Sequence, residues 1–175
     1  MKPSDIYPMP EYFDRYINLV DDVDLKDAFQ NSLEVLDKID KKNLDRLGNK
    51  IYAPGKWTVK DILQHIADTE RILSYRTLRF ARADKIIPEG YDEKELAKNA
   101  HADNRTISEL LDEIKAVRQS TIKMFQGFDE ETLLRKGVNW KYEMSVFAMG
   151  FLIIGHQAHH LKILNEKYFP ILTQT

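Results

Sequence analysis

The stretch SVFAMGFLIIGHQAHHLKIL, residues 145–164, combines the longest apolar run of the chain with three of its five histidines. Its apolar residues recur at helical spacing and Pro170 supplies a stop signal, so we predict a helix over residues 145–169. At about 100° per residue, His156 and His160 lie about 40° apart on one face of this helix. The same face carries the apolar residues Met149, Leu152, Ile153, Ile163 and Leu164. Two histidines therefore interrupt the stripe that should point into the core.

Three further long segments have helical periodicity, so we predict an all-α chain. They span residues 25–44, 58–83 and 106–126, and a shorter helical segment precedes them at residues 11–19. Thr58 with Asp61, and Thr106 with Glu109, have the spacing of an N-terminal capping box. Gly127 supplies a stop signal for the third long helix. The pattern predicts a bundle of four helices.

The connection between the second and third long helices, residues 84–105, is unusually long. Neighbouring bundle helices are usually joined by roughly 2–8 residues. A longer link can cross the whole bundle, so the two helices it joins can run parallel. We predict a short helix within it, over residues 93–99. No segment sustains the alternation of a β-strand, so we predict no sheet, although residues 140–144 can hold a short extended piece.

A third histidine, His65, lies on the helix predicted for residues 58–83. It is about a quarter turn from the centre of the apolar stripe of that helix, at the inner edge of the core. Asp61, Asp68 and Arg76 have nearly the same angular position. We therefore expect a polar stripe that forms one wall of a cavity.

The inward histidines have two interpretations. A buried histidine is usually a core residue with a hydrogen-bond partner, and an HxxxH pair alone is weak evidence for a metal site. Three buried imidazoles would each need a separate partner, whereas one metal ion satisfies all three at once. Imidazole suits zinc, nickel, copper and iron. We expect one divalent metal ion, zinc or nickel.

Composition limits the other classes of function. The chain has 26 basic and 28 acidic residues, a net charge of -2, and no cysteine. The near balance of charge argues against a general nucleic-acid-binding protein. The lack of cysteine excludes disulfides, thiolate ligands and a cysteine nucleophile from the chain. The N-terminal sequence is not a secretory signal, and no apolar run approaches the ~20 residues that span a bilayer. We expect one cytoplasmic domain over residues 1–175 that binds neither nucleic acid nor membrane.

Three segments, in order along the chain, resemble the DinB-like superfamily and its YfiT-like branch. They are YAPGKWTVKDILQHIADTERILSYRTLRFARAD (residues 52–84), EIKAVRQSTIKMF (residues 113–125) and the stretch quoted first. The resemblance implies a four-helix bundle with an up-down-down-up course. It also implies a three-histidine metal site, which carries over by position to His65, His156 and His160. His159 matches an additional histidine of the family and is not expected to be a main ligand.

Members of this superfamily include thiol-dependent S-transferases and proteins described as metal-dependent hydrolases. We predict that the metal holds a low-molecular-weight thiol as thiolate for transfer to a small electrophile. One alternative is hydrolysis by metal-bound hydroxide. The other is a non-catalytic, metal-stabilised binding protein. An open coordination position would favour an enzyme, and a fourth ligand from Glu143 or His159 would favour the structural role.

Residues of the second long helix are candidates for further roles. Asp68 or Asp61 would orient a histidine or act as a base. Arg76, with Arg79 as a second candidate, would hold a carboxylate of the substrate. We also predict a homodimer through a second face of this helix, formed by Leu63, Ala67, Leu78 and Ala81.

Overall fold

Four long helices form the body of the protein. The computed structural model describes residues 1–173, and within them eight α-helices and one β-hairpin follow in chain order. They are α1 (Asp14–Ile17), α2 (Leu25–Asp37), α3 (Lys41–Leu47), α4 (Val59–Ala81), α5 (Glu93–Asn99), α6 (Ile107–Gln126), α7 (Glu130–Leu134), β1 (Lys136–Asn139), β2 (Tyr142–Ser145) and α8 (Val146–Ile163). Short 3-10 turns occupy Pro3–Asp5 and Ala102–Asn104. The long helices α2, α4, α6 and α8 form the bundle.

Residue contacts between the long helices show the direction of each. These pairs are Gln64–Arg105 and Ser74–Thr121 between α4 and the α6 region, Ser32–Arg118 and Asp37–Lys115 between α2 and α6, and Leu25–Gly150 and Ser32–Gln157 between α2 and α8. Residue numbers rise together along α4 and α6 and along α2 and α8, but in opposite senses along α2 and α6. The course is therefore up-down-down-up, as predicted.

Local signals set the helix boundaries that the sequence analysis found. Thr58 and Thr106 cap α4 and α6, each in a reciprocal capping box with the acidic residue three positions on. The predicted short helix over residues 93–99 is present as α5, which Asp92 caps through hydrogen bonds from two backbone N–H groups. The long link between α4 and α6 thus contains structure of its own.

The helices predicted for residues 25–44 and 145–169 need correction. The first is two helices, because α2 ends at Asp37 and the side chain of Asp40 accepts a hydrogen bond from the Asn43 N–H at 3.0 Å, which caps α3. In the second, α-helical geometry ends at Ile163. The chain then continues through a π-helical turn, Leu164–Tyr168, and a 3-10 turn, Phe169–Thr173.

The β-hairpin is a second correction, since no sheet was predicted, although β2 overlaps the short extended piece expected at residues 140–144. Strands β1 and β2 are antiparallel, with Gly137 opposite Met144, and Trp140 in the turn has a positive φ of 59°. The hairpin leads directly into Ser145, whose side chain accepts a hydrogen bond from the Ala148 N–H and caps α8. The short helix α7 before the hairpin was also not predicted.

Helix α8 is buried on nearly every side, and it passes between two apolar clusters. One cluster includes Phe151, Leu152 and Ile153, and the other includes Leu161 and Leu164. The histidines of α8 lie in the stretch between these two groups. They are therefore inside the bundle but at a break in its apolar packing.

The helix face proposed for a homodimer is largely internal. Leu63, Ala67 and Ala81 are buried within the monomer, whereas Leu78 is 38% exposed. This face packs against neighbouring helices of the same chain, so it does not supply a dimer surface, and the homodimer itself stays a prediction. Among the described residues, no helix is both long enough and apolar enough to cross a membrane.

Candidate metal centre

Helices α4 and α8 bring three imidazole rings together. The Nε2 atom of His156 lies 3.1 Å from Nε2 of His65 and 3.1 Å from Nε2 of His160. One ring nitrogen from each histidine lies within 4.8 Å of the others, and all three side chains are buried. The structure therefore brings together the three residues that the sequence analysis selected as ligands.

The geometry of these nitrogens suits a metal ion better than a hydrogen-bonded cluster. Nε2 of His156 faces two other ring nitrogens, but one proton on it can serve only one N–H···N bond. Tetrahedral ligands at the usual metal–nitrogen distance of about 2.0–2.1 Å are about 3.3 Å apart, close to the two 3.1 Å separations. A single divalent ion would satisfy all three lone pairs at once.

Burial keeps the three rings neutral at pH 7. It lowers the pKa of His65 to about 4 and that of His160 to about 3, with a further lowering by the charges of neighbouring histidines. Desolvation likewise puts the pKa of His156 well below its ordinary value. A neutral imidazole has a free lone pair, which is the form that binds a metal.

Two further residues support His65 directly. The hydroxyl oxygen of Thr69, one helical turn on, lies 3.3 Å from Nδ1 of His65. The ring of Trp57 lies 4.6 Å from the His65 ring, centroid to centroid. Neither role was predicted from the sequence, although the spacing of Thr69 from His65 is a signal that can be found there. The contact with Trp57 depends on the fold of the segment before α4.

A close helix contact explains the glycine that begins GHQAHH. A Cβ atom on Gly155 would lie 2.1 Å from the backbone carbonyl oxygen of Tyr16, so only glycine lets α1 approach α8 here. The Tyr16 ring then lies 5.7 Å from the ring of His156 and 5.1 Å from that of His159. Helix α1 thereby forms a wall beside the histidines, a role that the sequence did not reveal.

Two cavities border the histidines. The cavity on one side, which we call the His156 cavity, is about 300 Å³ and is lined by Tyr16, Thr69, Arg76, Tyr91, Trp140 and His156, among others. The cavity on the other side, the His160 cavity, is about 390 Å³ and is lined by Tyr52, Lys56, Trp57, Lys94, Tyr168 and His160, among others. The two ligands from α8 thus border different cavities.

The two candidate carboxylates are engaged elsewhere. Asp61 accepts hydrogen bonds from the backbone N–H and the hydroxyl of Thr58 at the start of α4. Asp68 accepts one from the Gln64 amide at 3.0 Å and lies 3.3 Å from Arg71. Among the described residues, Thr69 rather than a carboxylate contacts Nδ1 of His65. A catalytic role for either aspartate stays a prediction.

Of the remaining candidate residues, Arg76 lines a cavity at the site, whereas the others have contacts elsewhere. Arg76 is buried and lines the His156 cavity, whereas Arg79 forms an ion pair with Asp84 at 2.7 Å. His159 is half-buried against Tyr16 and is not part of the metal-ligating group. Glu143 lies exposed on the hairpin, paired with Lys136 at 3.0 Å. Neither suggested fourth ligand joins the three histidines.

Three converging neutral imidazoles on two antiparallel helices define a helical-bundle protein with a site suited to a divalent metal. The chain belongs to the DinB superfamily, whose sequence profile matches residues 24–164. Among solved structures, it is similar to YfiT from Bacillus subtilis, described as a probable metal-dependent hydrolase with an unusual four-helix bundle topology. That likeness has a TM-score of 0.69 at 16% identity and covers 97% of this chain and 96% of YfiT, so it shows a shared fold. Among curated protein sequences, none matches this chain closely enough to count as a relative.

Proposed function

We propose that this protein is an enzyme that uses one divalent metal ion, bound by His65, His156 and His160, to act on a small molecule. The observation that carries the proposal is the convergence of three buried, neutral Nε2 atoms next to two cavities. Zinc and nickel both accept imidazole ligands. Three protein ligands leave a coordination position for an exogenous ligand, as in catalytic rather than structural sites.

The residues around the ligands have separate tasks in this proposal. When bound, the ion would act as a Lewis acid that activates water or holds a thiol as thiolate. Thr69 would accept a hydrogen bond from Nδ1–H of His65, which leaves Nε2 of that ring free as a ligand. The rings of Trp57 and Tyr16 would exclude bulk water from the ligands on two sides. Asp61 and Asp68 would act only through a rearrangement of their present hydrogen bonds.

Hydrolysis is the function that the comparisons favour. YfiT, which shares the fold over nearly its whole length, is described as a probable metal-dependent hydrolase. Hydrolysis needs one organic substrate and water, and the His156 cavity alone would suffice for it. An ester or amide bond of a small substrate would then lie near the His156 side of the centre.

Thiol transfer is the second candidate, and the paired cavities support it. A transfer reaction needs room for two substrates, and separate cavities border His156 and His160. The chain has no cysteine, so the thiol would be a low-molecular-weight compound brought in from solution. The S–H bond would break, with its proton going to solvent, and the sulfur would form a bond to a carbon of the electrophile as that carbon's bond to a leaving group breaks and the group departs with the electron pair.

One experiment separates these candidates. Protein loaded with zinc or nickel is assayed against model esters and amides without thiol, and then for conjugation of bacillithiol, mycothiol or glutathione to an electrophile. His160→Ala serves as the metal-site control and should lose whichever activity is found. Hydrolysis without thiol would support the first candidate, and conjugation alone would support the second. Neither activity across a broad panel, with metal bound, would favour the non-catalytic binding protein.

The cellular and quaternary setting is also a proposal. The absence of a membrane-crossing helix among the described residues and a near-neutral charge are compatible with a cytoplasmic protein. A homodimer would have to use a surface other than the buried face of α4. Light scattering that gave only the 20.5 kDa monomer at micromolar concentration would exclude the dimer.

A further inference from the structure

Within the described part of the chain, Arg76 is a buried cation without an anionic partner. Its side chain is 8% exposed, and its guanidinium donates hydrogen bonds to the side-chain oxygen of Asn139 at 2.8 Å and to the backbone oxygen of Glu89 at 2.7 Å. Both acceptors are neutral. Among the described residues, no carboxylate lies within ion-pair distance of Arg76, although Arg76 lines the His156 cavity.

We infer that the His156 cavity binds a small monocarboxylate, whose charge Arg76 neutralises while the rest of the molecule reaches toward the metal centre. The inference rests on the proposed function for the role of the metal, but its recognition element is Arg76. A guanidinium presents several N–H donors in a planar fork, and two neutral acceptors leave donors available. A carboxylate matches that fork and supplies the missing negative charge.

The other buried arginine shows what is missing at Arg76. Arg118 is fully buried, and two of its nitrogens bond both oxygens of Glu70 at 2.8 and 2.9 Å. An unpaired charge in such an interior is costly, and the cost falls when an anion binds. Arg118 has its counter-charge within the chain, so the counter-charge for Arg76 is expected from a ligand.

The position of Arg76 on α4 puts a bound anion in the same cavity as His156, one of the proposed metal ligands. His65, Thr69, Leu73 and Arg76 follow one another at intervals of three or four residues along α4, and the last three line the same cavity as His156. The rise from His65 to Arg76 is about 16 Å of helix axis, and a long side chain at Arg76 leans back toward the helix N-terminus. The cavity is thus lined both by His156, at the metal site, and by Arg76.

Size and charge narrow the substrate further. A volume of about 300 Å³ is at the lower end of the range for ligand sites. Tyr16, Tyr91 and Trp140 give the cavity aromatic walls, which suit a flat or apolar body. Glu93, at the exposed start of α5, also lines the cavity and would repel a second negative charge. These features favour a monocarboxylate over a phosphate ester.

Three matched probes test the charge preference. They are phenylacetate, its neutral analogue phenylacetamide, and phenyl phosphate. Each is titrated into the full chain while the indole N–H signals are followed by NMR, because Trp140 lines the His156 cavity and Trp57 lines the His160 cavity. Phenylacetate should shift the Trp140 signal and bind about 10- to 100-fold more tightly than the amide, as expected for charge-assisted hydrogen bonds.

Variants test whether the preference for the acid over the amide depends on the Arg76 side chain. Arg76→Gln should remove the discrimination between acid and amide, and Arg76→Lys should keep part of it because the charge remains without the fork. Arg79→Gln, whose arginine is paired with Asp84, should bind as the parent does. The melting temperature of each variant is measured alongside, and Arg76→Lys keeps the test valid if Arg76→Gln unfolds.

Several outcomes would overturn the inference: equal binding of acid and amide, discrimination that survives in Arg76→Gln, shifts confined to Trp57, tighter binding of phenyl phosphate, or no binding of any probe at millimolar concentration. The titration is run on zinc-loaded and on chelated protein, with uptake of zinc and of nickel measured. Acid-selective binding at Trp140 in a chain that takes up neither zinc nor nickel would leave this inference standing and reject the proposed metal enzyme. Zinc uptake without acid selectivity would do the reverse.

Discussion

Two clusters of buried polar and charged side chains in this bundle differ in how their hydrogen bonds and charges are satisfied. Between α4 and α6, Glu70 and Arg118 neutralise each other, and the Ser32 hydroxyl accepts a further hydrogen bond from Arg118. Between α4 and α8, three imidazole nitrogens face one another, and Arg76, which lines the same cavity as His156, has only neutral acceptors among the described residues. The first group is satisfied within the chain, whereas the second has unused lone pairs and an unmatched charge.

This difference separates a structural cluster from a binding site. A closed ion pair that is fully hydrogen-bonded fixes the positions of three helices and leaves nothing for a ligand to match. The histidines and Arg76 leave interactions unmade beside two cavities, at a cost in stability that a ligand would reduce. Burial of charge alone therefore does not indicate function, but burial without a partner next to a cavity does.

The largest effect is expected from breaking the cluster of Glu70, Arg118 and Ser32, which we call the closed cluster. Glu70→Gln should lower the free energy of unfolding by about 3–5 kcal/mol, because Arg118 would stay buried without its counter-charge. The measurement is urea denaturation at neutral pH. Glu143→Gln, which breaks the exposed pair with Lys136, is the matched control and should cost less than about 1 kcal/mol.

A double variant of Glu70 and Arg118 tests the same ion pair by urea denaturation. Replacing both partners by apolar residues, Glu70→Leu with Arg118→Met, should restore most of the lost stability, since such replacements are often neutral or stabilising. Metal content per chain should not change in Glu70→Gln, because its cluster holds none of the proposed ligands. A loss of stability no greater than in Glu143→Gln would show that the pair is not the closed cluster described above.

The next effect concerns the three histidines His65, His156 and His160, which we call the open cluster. Each of His65→Ala, His156→Ala and His160→Ala should abolish metal binding and, with it, the stabilisation that metal confers. A ligand in 100- to 1,000-fold excess over its Kd adds about 3–4 kcal/mol to the folded state. Metal content by mass spectrometry, and melting temperature with and without chelator, measure the two quantities.

His159→Ala is the control for the ligand variants, because His159 adjoins the ligands but lies against Tyr16. It should keep both the metal and the stabilisation. Loss of metal in His159→Ala with His160→Ala unaffected would overturn the ligand assignment. An unchanged melting temperature after complete chelation would show that metal binding is not coupled to folding.

A smaller effect per residue should come from each buried histidine in the pH dependence of the metal-free protein. In the fold, burial lowers the pKa of His65 to about 4 and of His160 to about 3, whereas the unfolded chain has ordinary histidines near about 6.5. Between these values the unfolded chain binds more protons, so stability is retained above about pH 6.5 and falls as the pH drops below it. The slope should reach about 1.4 kcal/mol per pH unit for each histidine.

Urea denaturation in chelator between about pH 7 and pH 5 measures this slope. His160→Ala should reduce it by the share of one histidine, whereas the slope should persist in Glu70→Gln because the closed cluster contains no histidine. A parent protein whose stability is constant across this range would contradict the neutral, buried state of the rings.

Most of the bundle could be predicted because its signals are local. The capping residues Thr58 and Thr106 and the helical spacing of apolar residues predicted α4 and α6 closely, and the same spacing predicted the start of α8 but not its end. The break between α2 and α3 was missed because the apolar spacing continues through it, and only the competing cap at Asp40 ends the helix. The β-hairpin was missed because it depends on distant packing, as where the Phe80 ring lies directly against Gly137.

The same difference between local signals and distant contacts decided which residues of the site could be predicted. Helical phase alone placed His65, His156 and His160 toward the core. Asp61 was a candidate for two local roles, and the cap of α4 holds it in the structure. Tyr16 and Trp57 border the site through contacts between segments far apart in sequence, which no helical spacing reveals.

The smallest effect tests how the open cluster is held in place. If Nε2 of His65 binds a metal, the ring proton lies on Nδ1 and can be donated to the hydroxyl oxygen of Thr69, 3.3 Å away. Thr69→Val removes that acceptor with little change in shape, and partners of this kind are worth about 10- to 100-fold in metal affinity. The contact is long, so we expect about tenfold, equivalent to about 1.4 kcal/mol. Competition against a zinc chelator of known affinity gives the ratio of the two metal affinities.

Thr69→Ser should restore the affinity for the metal. Thr77→Val removes a buried hydroxyl that bonds the Leu73 backbone oxygen and should leave the affinity unchanged. Equal losses in Thr69→Val and Thr77→Val would mean that general packing of α4, rather than the bond to His65, supports the metal centre.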